Sequence, residues 1–194
     1  MPQAKYNSPE LTDEEILALH KNNDQEALKL IINRYTSPLY NFTARLTNKN
    51  DAPDIVQEVF IKTWKNIRNF DSRRASFKTW IFIIARNTIT DFLRKKRNLL
   101  FSDMGKNNEE DTNSFVENIP SEEMLPDVAM QKLEDSAFLN KTLEKLRLDY
   151  QEVLILHYQE EMTFEEIGRV LNKSLNTIKS QHRRAIIGLR KILE

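Results

Sequence analysis

The stretch from 51 to 97 constrains the fold more than any other part of the chain, because it holds two helical patterns separated by one short polar loop. Apolar residues from Ile55 to Ile67 recur at three- and four-residue spacing, which predicts a single apolar stripe along a helix. Asp51 is expected to cap the start of this helix, and Pro53 suits its first turn. The polar residues outside the stripe form a face that the helix's own domain does not obviously need.

The second pattern of this stretch predicts a longer helix, which Ser76 is expected to cap and which runs to about Arg97. Its first half is apolar almost all round, and its second half ends in a basic cluster. A buried helix that continues as a cationic rod is typical of a nucleic-acid-binding element. Phe77, Trp80 and Phe82 are interpreted as core residues rather than base-stacking groups, because they stand in an apolar run.

The other periodic segments are helical as well, and no strand alternation competes with them. Thr12–Glu15 and Thr163–Glu166 match capping boxes, and Pro38 is expected to kink or restart the helix that contains it. After the second capping box, a short helix, a polar turn at 172–173 and a longer basic helix capped by Ser174 form the helix-turn-helix pattern. The sequence therefore predicts an all-α fold.

Charge divides the chain into three parts, although Lys plus Arg equals Asp plus Glu at 29 each. Residues 1–98 carry 17 basic and 11 acidic groups, a net of +6, whereas residues 99–133 carry 2 and 8, a net of −6. Residues 99–133 also lose the helical periodicity, so they are interpreted as a flexible acidic linker. We therefore predict two small helical domains, an amino-terminal bundle at 1–98 and a helix-turn-helix domain at 134–194.

Composition removes several classes of function. Without cysteine there is no disulfide, thiolate zinc site or cysteine nucleophile, and three glycines are too few for a phosphate-binding glycine loop. His20, His157 and His182 have no metal-ligand spacing around them and are interpreted as surface or half-buried helix residues. The longest apolar run, from Trp80 to Ala85, is far too short to span a bilayer. We expect a soluble, cytoplasmic protein that is not an enzyme and needs no metal or cofactor.

The order of these motifs resembles that of bacterial RNA polymerase sigma factors, in the sigma-70 family and its extracytoplasmic-function (ECF) subfamily. Asp51–Trp64 is similar to the family's polymerase-docking helix, and Phe77–Asn87 with the basic cluster behind it is similar to the −10-reading helix. Thr163–Ala185 is similar to the −35-reading helix-turn-helix. The resemblance covers nearly all of 12–98 and 134–194, and its first two runs are the most specific.

This resemblance implies a transcription initiation factor that binds core RNA polymerase at the β′ coiled coil and β flap, reads −10 and −35 promoter elements and promotes strand opening. An anti-sigma factor is expected as a further partner, with no small-molecule substrate and no membrane insertion. The implied polymerase-binding residues are Asp51, Asp54, Gln57, Glu58, Ile61 and Lys62. The implied −10 residues are Phe70, Asp71, Ser72, Arg73, Arg74, Lys78, Arg86, Asn87, Arg94 and Arg97. The implied −35 residues are Ser174, Asn176, Thr177, Lys179, Ser180, Arg183 and Arg184.

Two rival interpretations stay open on the residues alone. A helix-turn-helix regulator that never binds polymerase would explain the basic last helix but would leave Asp51–Trp64 without a role. A helical interaction module would apply if the basic faces were only solvated surface. Gln181–His182 stands where the family commonly has an Arg-rich sequence, and residues 88–90 stand where it commonly has small or aliphatic residues. Both departures are expected to affect promoter preference more than the class of protein.

The linker also has a physical interpretation. Promoter elements a turn and a half of duplex apart lie ~50–60 Å from each other, at ~35 Å per turn. A linker of this length spans ~30 Å as a relaxed coil and up to ~120 Å when taut, so it covers that distance. Its acidic charge disfavours competition with DNA for the basic surfaces, and we hypothesise that it lies in the cationic nucleic-acid channel of polymerase.

Overall fold

The computed structural model describes residues 11–21, 25–103, 142–143 and 145–193, which form helices and no strand. Seven α-helices follow one another along this part of the chain: α1 Asp13–Lys21, α2 Gln25–Leu46, α3 Ala52–Asn66, α4 Phe77–Asp103, α5 Leu148–Leu154, α6 Phe164–Leu171 and α7 Leu175–Leu193. A 3-10 turn, Ile67–Asn69, continues α3, and a π-helical turn, Ile155–Gln159, continues α5. The predicted all-α fold is confirmed.

Four predicted helix starts have the expected side-chain caps. In Thr12–Glu15 and Thr163–Glu166 the threonine hydroxyl accepts from the glutamate N–H at 3.3 Å, and the glutamate carboxylate accepts from the threonine N–H in return. The hydroxyls of Ser76 and Ser174 accept from the backbone N–H three residues on, at 3.2 and 3.1 Å. Each cap satisfies a donor that the first helical turn leaves without a partner, which fixes where the helix begins.

Two local predictions are wrong, and of the kink or restart expected at Pro38 the restart is wrong. Asp51 precedes α3 but makes no capping hydrogen bond; its backbone is already helical, and its carboxylate pairs instead with Lys96. α2 does not restart at Pro38 but passes through it, because buried residues on both sides hold the two halves in the same core. α4 continues to Asp103 rather than ending near Arg97.

The domain boundaries stay a prediction. The first five residues of the predicted linker, 99–103, lie in α4, and 104–133 lie outside the described residues. The described residues of 1–98 and 134–194 nevertheless form two helical regions in chain order, which are called here the amino-terminal region (α1 to α4) and the carboxy-terminal region (α5 to α7).

The amino-terminal region is built around α2, α3 and α4, whose apolar stripes face one another. Phe42 of α2 meets Phe82 of α4 edge to face, with ring centroids 5.4 Å apart. Phe77 and Phe82 are fully buried and Trp80 packs half-buried against the same core, so the interpretation of these aromatic residues as core is confirmed. Burying them together fixes α4 against α2 and leaves its opposite side outward.

The carboxy-terminal region contains the predicted helix-turn-helix, formed by α6, a tight turn and α7. Asn172 ends α6 in the left-handed conformation, with φ 53°, and the N–H of Lys173 donates to the carbonyl of Gly168 at 2.9 Å. A β-carbon at Gly168 would lie only 2.9 Å from the carbonyl oxygen of Lys173, so this close approach requires glycine. Together these contacts set the angle at which α7 leaves the turn.

The two regions pack against each other in this structure. α6 lies along α4, and α5 contacts α2. One buried apolar cluster continues from Phe42 and Phe82 in the amino-terminal region to Ile155, Leu156 and Ile167 in the carboxy-terminal region. None of the described helices is long and apolar enough to cross a membrane.

Candidate nucleic-acid and protein interfaces

The outer face of α3 is the part of the predicted docking surface that stays open. Asp54, Gln57 and Glu58 are exposed, and Ile61 is 45% exposed. The opposite side of the helix is buried through Ile55, Val56, Val59 and Thr63. The structure therefore separates a face that holds the fold from a face that contributes nothing to the region's own core.

Two predicted docking residues lie at the margins of this face. Lys62 pairs with Glu58 at 2.9 Å, and its Nζ donates to the hydroxyl of Thr88 on α4 at 3.2 Å. Asp51 pairs with Lys96 at 2.8 Å, and this hydrogen bond, supported by one from Asn48, lowers the pKa of the Asp51 carboxyl. Both residues thus join α3 to its surroundings as well as bordering the exposed face.

The loop between α3 and α4 is organised by Asp71. Its carboxylate accepts from the backbone N–H of Arg73 at 3.1 Å and from the Arg73 guanidinium at 2.9 Å, which lowers the pKa of the Asp71 carboxyl. The guanidinium of Arg74 lies 3.8 Å from the same carboxylate. Arg73 and Arg74 side chains are each 88% exposed, and Ser72 is exposed between them and Asp71. The loop thus presents two cations on a rigid turn.

Phe70 begins this loop and anchors it. Its ring packs at 5.4 Å from Phe77 and 5.3 Å from Trp80, and the side chain is half-buried. The structure therefore places Phe70 beneath the loop, whereas the other predicted −10 residues of the loop lie on its surface. Any contact of Phe70 with a base would be made through the edge that this packing leaves open.

The predicted −10 residues on α4 fall into two sets. Asn87, Arg94 and Arg97 are exposed, and Arg94 pairs with Asp91 at 2.9 Å on its own helix. Lys78 and Arg86 are half-buried instead, because both point toward the carboxy-terminal region.

Two carboxylates of the carboxy-terminal region form ion pairs with these two cations. Lys78 Nζ lies 3.4 Å from Glu160 Oε2, and Arg86 Nε lies 3.4 Å from Glu152 Oε1. Neither glutamate was singled out from the sequence, and no local pattern could have done so, because the pairs join positions more than sixty residues apart along the chain.

The predicted −35 residues lie together on the outer side of the helix-turn-helix. Ile178, Ala185 and Leu189 face inward and are buried. A shallow recess on the outer side is lined by Ser180, Arg183, Arg184 and Ile187. The exposed residues of this surface are Ser174, Asn176, Thr177, Lys179, Ser180, Arg183 and Arg184. Short polar groups at the start of α7 followed by cations suit a helix that enters a major groove end-on.

Family models match both regions: residues 31–99 match Sigma-70 region 2, and residues 139–187 match Sigma-70, region 4. The ECF RNA polymerase sigma factor SigW of Bacillus subtilis (strain 168) is 34% identical over 174 residues, which cover 89% of this chain and 92% of SigW. The chain belongs to the ECF RNA polymerase sigma factor family. It is accordingly a transcription initiation factor that directs RNA polymerase to promoters, not an enzyme, and a regulator acting without polymerase is not favoured.

Further relatives agree with this assignment of the sigma factor. The ECF RNA polymerase sigma-E factor of Haemophilus influenzae (strain ATCC 51907 / DSM 11121 / KW20 / Rd) is 28% identical over 181 residues, which cover 91% of this chain and 92% of the relative. The sigma factor RpoE of Bartonella quintana, solved in complex with the anti-sigma factor NepR, is 26% identical with a TM-score of 0.62, and the match covers 85% of this chain and 95% of RpoE.

The departures of this sigma factor at 181–182 have a structural role. Gln181 donates to Asp149 Oδ2 at 3.0 Å, which ties α7 to α5. His182 packs edge-on against His157 at 5.2 Å, and the Tyr158 hydroxyl lies 3.0 Å from its Nε2. Burial, with a smaller contribution from His157, lowers the pKa of His182 from 6.5 to about 4, so the ring is neutral at physiological pH. No group of three or more potential metal ligands occurs among the described residues.

Proposed function

We propose that this sigma factor binds core RNA polymerase through the outer face of α3, formed by Asp54, Gln57, Glu58 and Ile61. The observation that carries the proposal is the exposure of this face on a helix whose other side is fully used in packing. Carboxylates beside an amide and an exposed isoleucine suit a partner helix that bears arginine, because charge-assisted hydrogen bonds add specificity to apolar contact area. The β′ coiled coil is the proposed partner surface, with the β flap as a second contact.

We assign the −10 element to the loop 70–75 and the outer side of α4. Strand opening requires that a base be extruded and held while cations grip the backbone. The protruding guanidiniums of Arg73 and Arg74, fixed by Asp71, are suited to the strand next to the extruded base. Lys78, Arg86, Asn87, Arg94 and Arg97 extend the same surface along α4.

We assign the −35 element to the outer side of α7. Its exposed polar residues include Asn176 and Thr177 at the helix start and Lys179, Arg183 and Arg184 further along. Residues of these types contact base edges and phosphates in major-groove readers. The carboxy-terminal region would carry this surface as a domain at 134–194, joined by the acidic linker 99–133 to a domain at 1–98.

An anti-sigma factor is a further proposed partner, supported by the relative RpoE, which was solved in complex with one. A cytoplasmic location is proposed because the protein must meet RNA polymerase there. A pull-down with the purified sigma factor from cytoplasmic extract, probed for the polymerase subunits and for small bound proteins, checks both proposals.

The docking proposal is tested by substituting two residues of the exposed α3 face and comparing the double variant with a control substitution outside that face. Asp54→Ala combined with Ile61→Ala should weaken binding to sigma-free core RNA polymerase about tenfold or more, since a few interface residues carry most of the binding free energy. Lys29→Ala, exposed on α2 and outside that face, is the control and should bind as the wild type does. Unchanged polymerase binding in the double variant would show that the docking face lies elsewhere.

Promoter reading is tested in the same assembly. Polymerase loaded with the wild-type sigma factor should initiate at specific promoters, whereas polymerase loaded with Arg73→Ala combined with Arg74→Ala should bind promoter duplex but open it more slowly. Association without any promoter selectivity in the wild-type holoenzyme would contradict the assignment of both reading surfaces.

A further inference from the structure

Gln181 lies on α7 among the residues assigned to −35 reading, yet its side chain is bonded within the protein. It follows Thr177 by four residues and precedes Arg184 by three, so the three side chains share one side of the helix. Its Nε2 donates to Asp149 Oδ2 on α5 at 3.0 Å, and its Oε1 accepts from Lys173 Nζ at 3.2 Å. Gln181 is half-buried, whereas Thr177 and Arg184 are exposed. Both polar atoms of the amide are therefore engaged beside the reading surface.

The two hydrogen bonds of this amide join three parts of the carboxy-terminal region. Lys173 belongs to the turn before α7, and its backbone N–H donates to the carbonyl of Gly168 in α6 at 2.9 Å. Asp149 lies in the first turn of α5, and its Oδ1 accepts from Nε of Arg147 at 3.2 Å. The amide thus stands between a cation held by the turn and a carboxylate held by α5. Lys173, Gln181 and Asp149 are called here the amide brace.

An amide of this length suits both partners of the brace. Glutamine carries a donor and an acceptor at the end of one side chain, so it can bond to a carboxylate and an ammonium together. Glutamate at this position would set a second carboxylate against Asp149. Arginine carries donors only, so it would leave Lys173 without its acceptor. The charges on either side of residue 181 therefore favour an amide there.

The amide brace acts on the rotation of α7 about its own axis. Ile178, Ala185 and Leu189 anchor the inner side of the helix in the apolar core, and the amide adds a fixed point on the flank. The ends of helix side chains lie ~5–6 Å from the axis, so a rotation of ~10° moves them by about 1 Å. Binding groups have to be held to within ~0.5 Å of their productive positions. Loss of the brace would therefore change which base edges Thr177 and Arg184 reach.

We propose that Gln181 is a positioning residue for −35 reading: held between Lys173 and Asp149, it fixes the rotation of α7 and sets promoter preference without contacting DNA. Asp149 then also affects promoter preference, although it lies on α5, outside the helix-turn-helix. The proposal rests on the assignment of the outer side of α7 to the −35 element. The opposing explanation is direct reading, in which the Gln181 amide bonds to the edge of an adenine and Asp149 has no part.

The base preference of the holoenzyme distinguishes these two roles. Core RNA polymerase loaded with the full-length sigma factor is given promoter duplexes randomised over both elements, and the bound sequences are counted. Gln181→Ala and Asp149→Ala should each lower the preference at the same −35 base pairs by about two- to tenfold, the effect of one hydrogen bond. The double variant should lose little more than Gln181→Ala alone, because both substitutions remove the same bond.

Controls come from the same experiment. Base preferences at the −10 element should not change in any of these variants, because the brace lies within the carboxy-terminal region. Lys145→Ala, exposed just before α5, should keep the wild-type preferences at both elements.

An exchanged pair shows that a loss of preference does not come from misfolding. Gln181→Glu places two carboxylates side by side and should lose the −35 preference. Adding Asp149→Asn supplies a donor for one oxygen of the new glutamate, while the other oxygen can still accept from Lys173. The preference should then return, which a misfolded Gln181→Glu variant could not achieve.

Each contrary result has a distinct meaning. A changed preference in Gln181→Ala with none in Asp149→Ala would overturn the proposal in favour of direct reading. Weaker binding at unchanged base preference in both variants would overturn it by showing that the brace only stabilises the region. Failure of the exchanged pair to recover the preference would overturn it as well. A wild-type holoenzyme with no −35 preference would instead contradict the assignment of α7, on which the proposal rests.

Discussion

Helices α4 and α7 are both basic and both assigned to promoter DNA, yet the structure leaves them in opposite states. The polar residues of α7 that were predicted to read the −35 element are all exposed. On α4, Lys78 and Arg86 already face buried carboxylates from the carboxy-terminal region, while Arg94 and Arg97 are exposed. One of the two proposed reading surfaces is therefore exposed, and the other is partly covered by the carboxy-terminal region.

The difference teaches that a basic helix is not by itself an open binding site. A cation that lies 3.4 Å from a buried carboxylate must give up that partner before it can hold a phosphate. The carboxylate must then be hydrated or find another cation. If the proposed surfaces bind DNA, affinity at α4 depends on breaking these two pairs, whereas affinity at α7 depends on local contacts.

The largest effect is expected from removing the support beneath α4. Phe82 is fully buried against Phe42, and Phe82→Ala should lower the free energy of unfolding by about 3–5 kcal/mol. Both tryptophans, Trp64 and Trp80, lie in the amino-terminal region, so their fluorescence during urea denaturation reports this loss. Thr90→Ala on the exposed side of α4 is the control. Equal midpoints for the two variants would show that α4 does not depend on this core.

A substitution beneath α7 is expected to lower the free energy of unfolding by less. A methyl group at Gly168 would lie 2.9 Å from the backbone oxygen of Lys173, so Gly168→Ala must shift the turn and should cost about 1–3 kcal/mol. Binding of −35 duplex should fall with it, because α7 leaves that turn. Gly188→Ala is the matched control: its methyl group meets only the end of the Leu146 side chain, which can move. Equal losses of −35 binding in both variants would contradict this explanation.

Local features of the fold were predictable, and long-range ones were not. The caps at Thr12, Ser76, Thr163 and Ser174 follow from residue type and spacing over one helical turn. Asp51 has the residue type of a cap, but Lys96, brought close only by the packing of α4 on α3, takes its carboxylate.

The candidate site shows the same limit. Exposure of the α3 and α7 faces follows from the period of their apolar stripes, which fixes the opposite sides as outward. The pairs of Lys78 with Glu160 and Arg86 with Glu152 depend on how two regions dock, and that arrangement has no periodic signal. Likewise Gln181 and His182 stand at positions expected to affect DNA preference, but their side chains bind Asp149 and Tyr158 within the protein.

The next prediction sharpens the comparison of α4 with α7 by measuring one cation from each. Arg184→Ala should weaken −35 duplex binding by about 1–3 kcal/mol, if its guanidinium makes a bidentate base contact, and by a similar amount in free protein and holoenzyme. Lys78→Ala should weaken −10 binding less than that, because Lys78 has to leave Glu160 before it can hold a phosphate. Equal losses in the two variants would mean that Glu160 does not compete with DNA for Lys78.

The smallest expected effect is a pH dependence confined to the carboxy-terminal region. His182 has its pKa lowered to about 4, so between that value and 6.5 the unfolded chain takes up a proton that the folded ring does not. The contribution of His182 to the free energy of unfolding should therefore fall as the pH falls through this window, and should regain its full value above 6.5. The Tyr158 hydroxyl lies 3.0 Å from Nε2 of His182, so this hydrogen bond involves the group that titrates.

Thermal unfolding followed at pH 7.0, 6.0 and 5.0 tests this window. His182→Phe keeps an aromatic ring beside Phe164 but has no group that can take up a proton. Its melting temperature should therefore vary less with pH than that of the wild type. The tryptophan signal of the amino-terminal region should respond equally to pH in both proteins, because the ring contacts and the hydrogen bond of His182 are made with carboxy-terminal residues. A His182→Phe profile as steep as the wild type's would assign the titration to other groups.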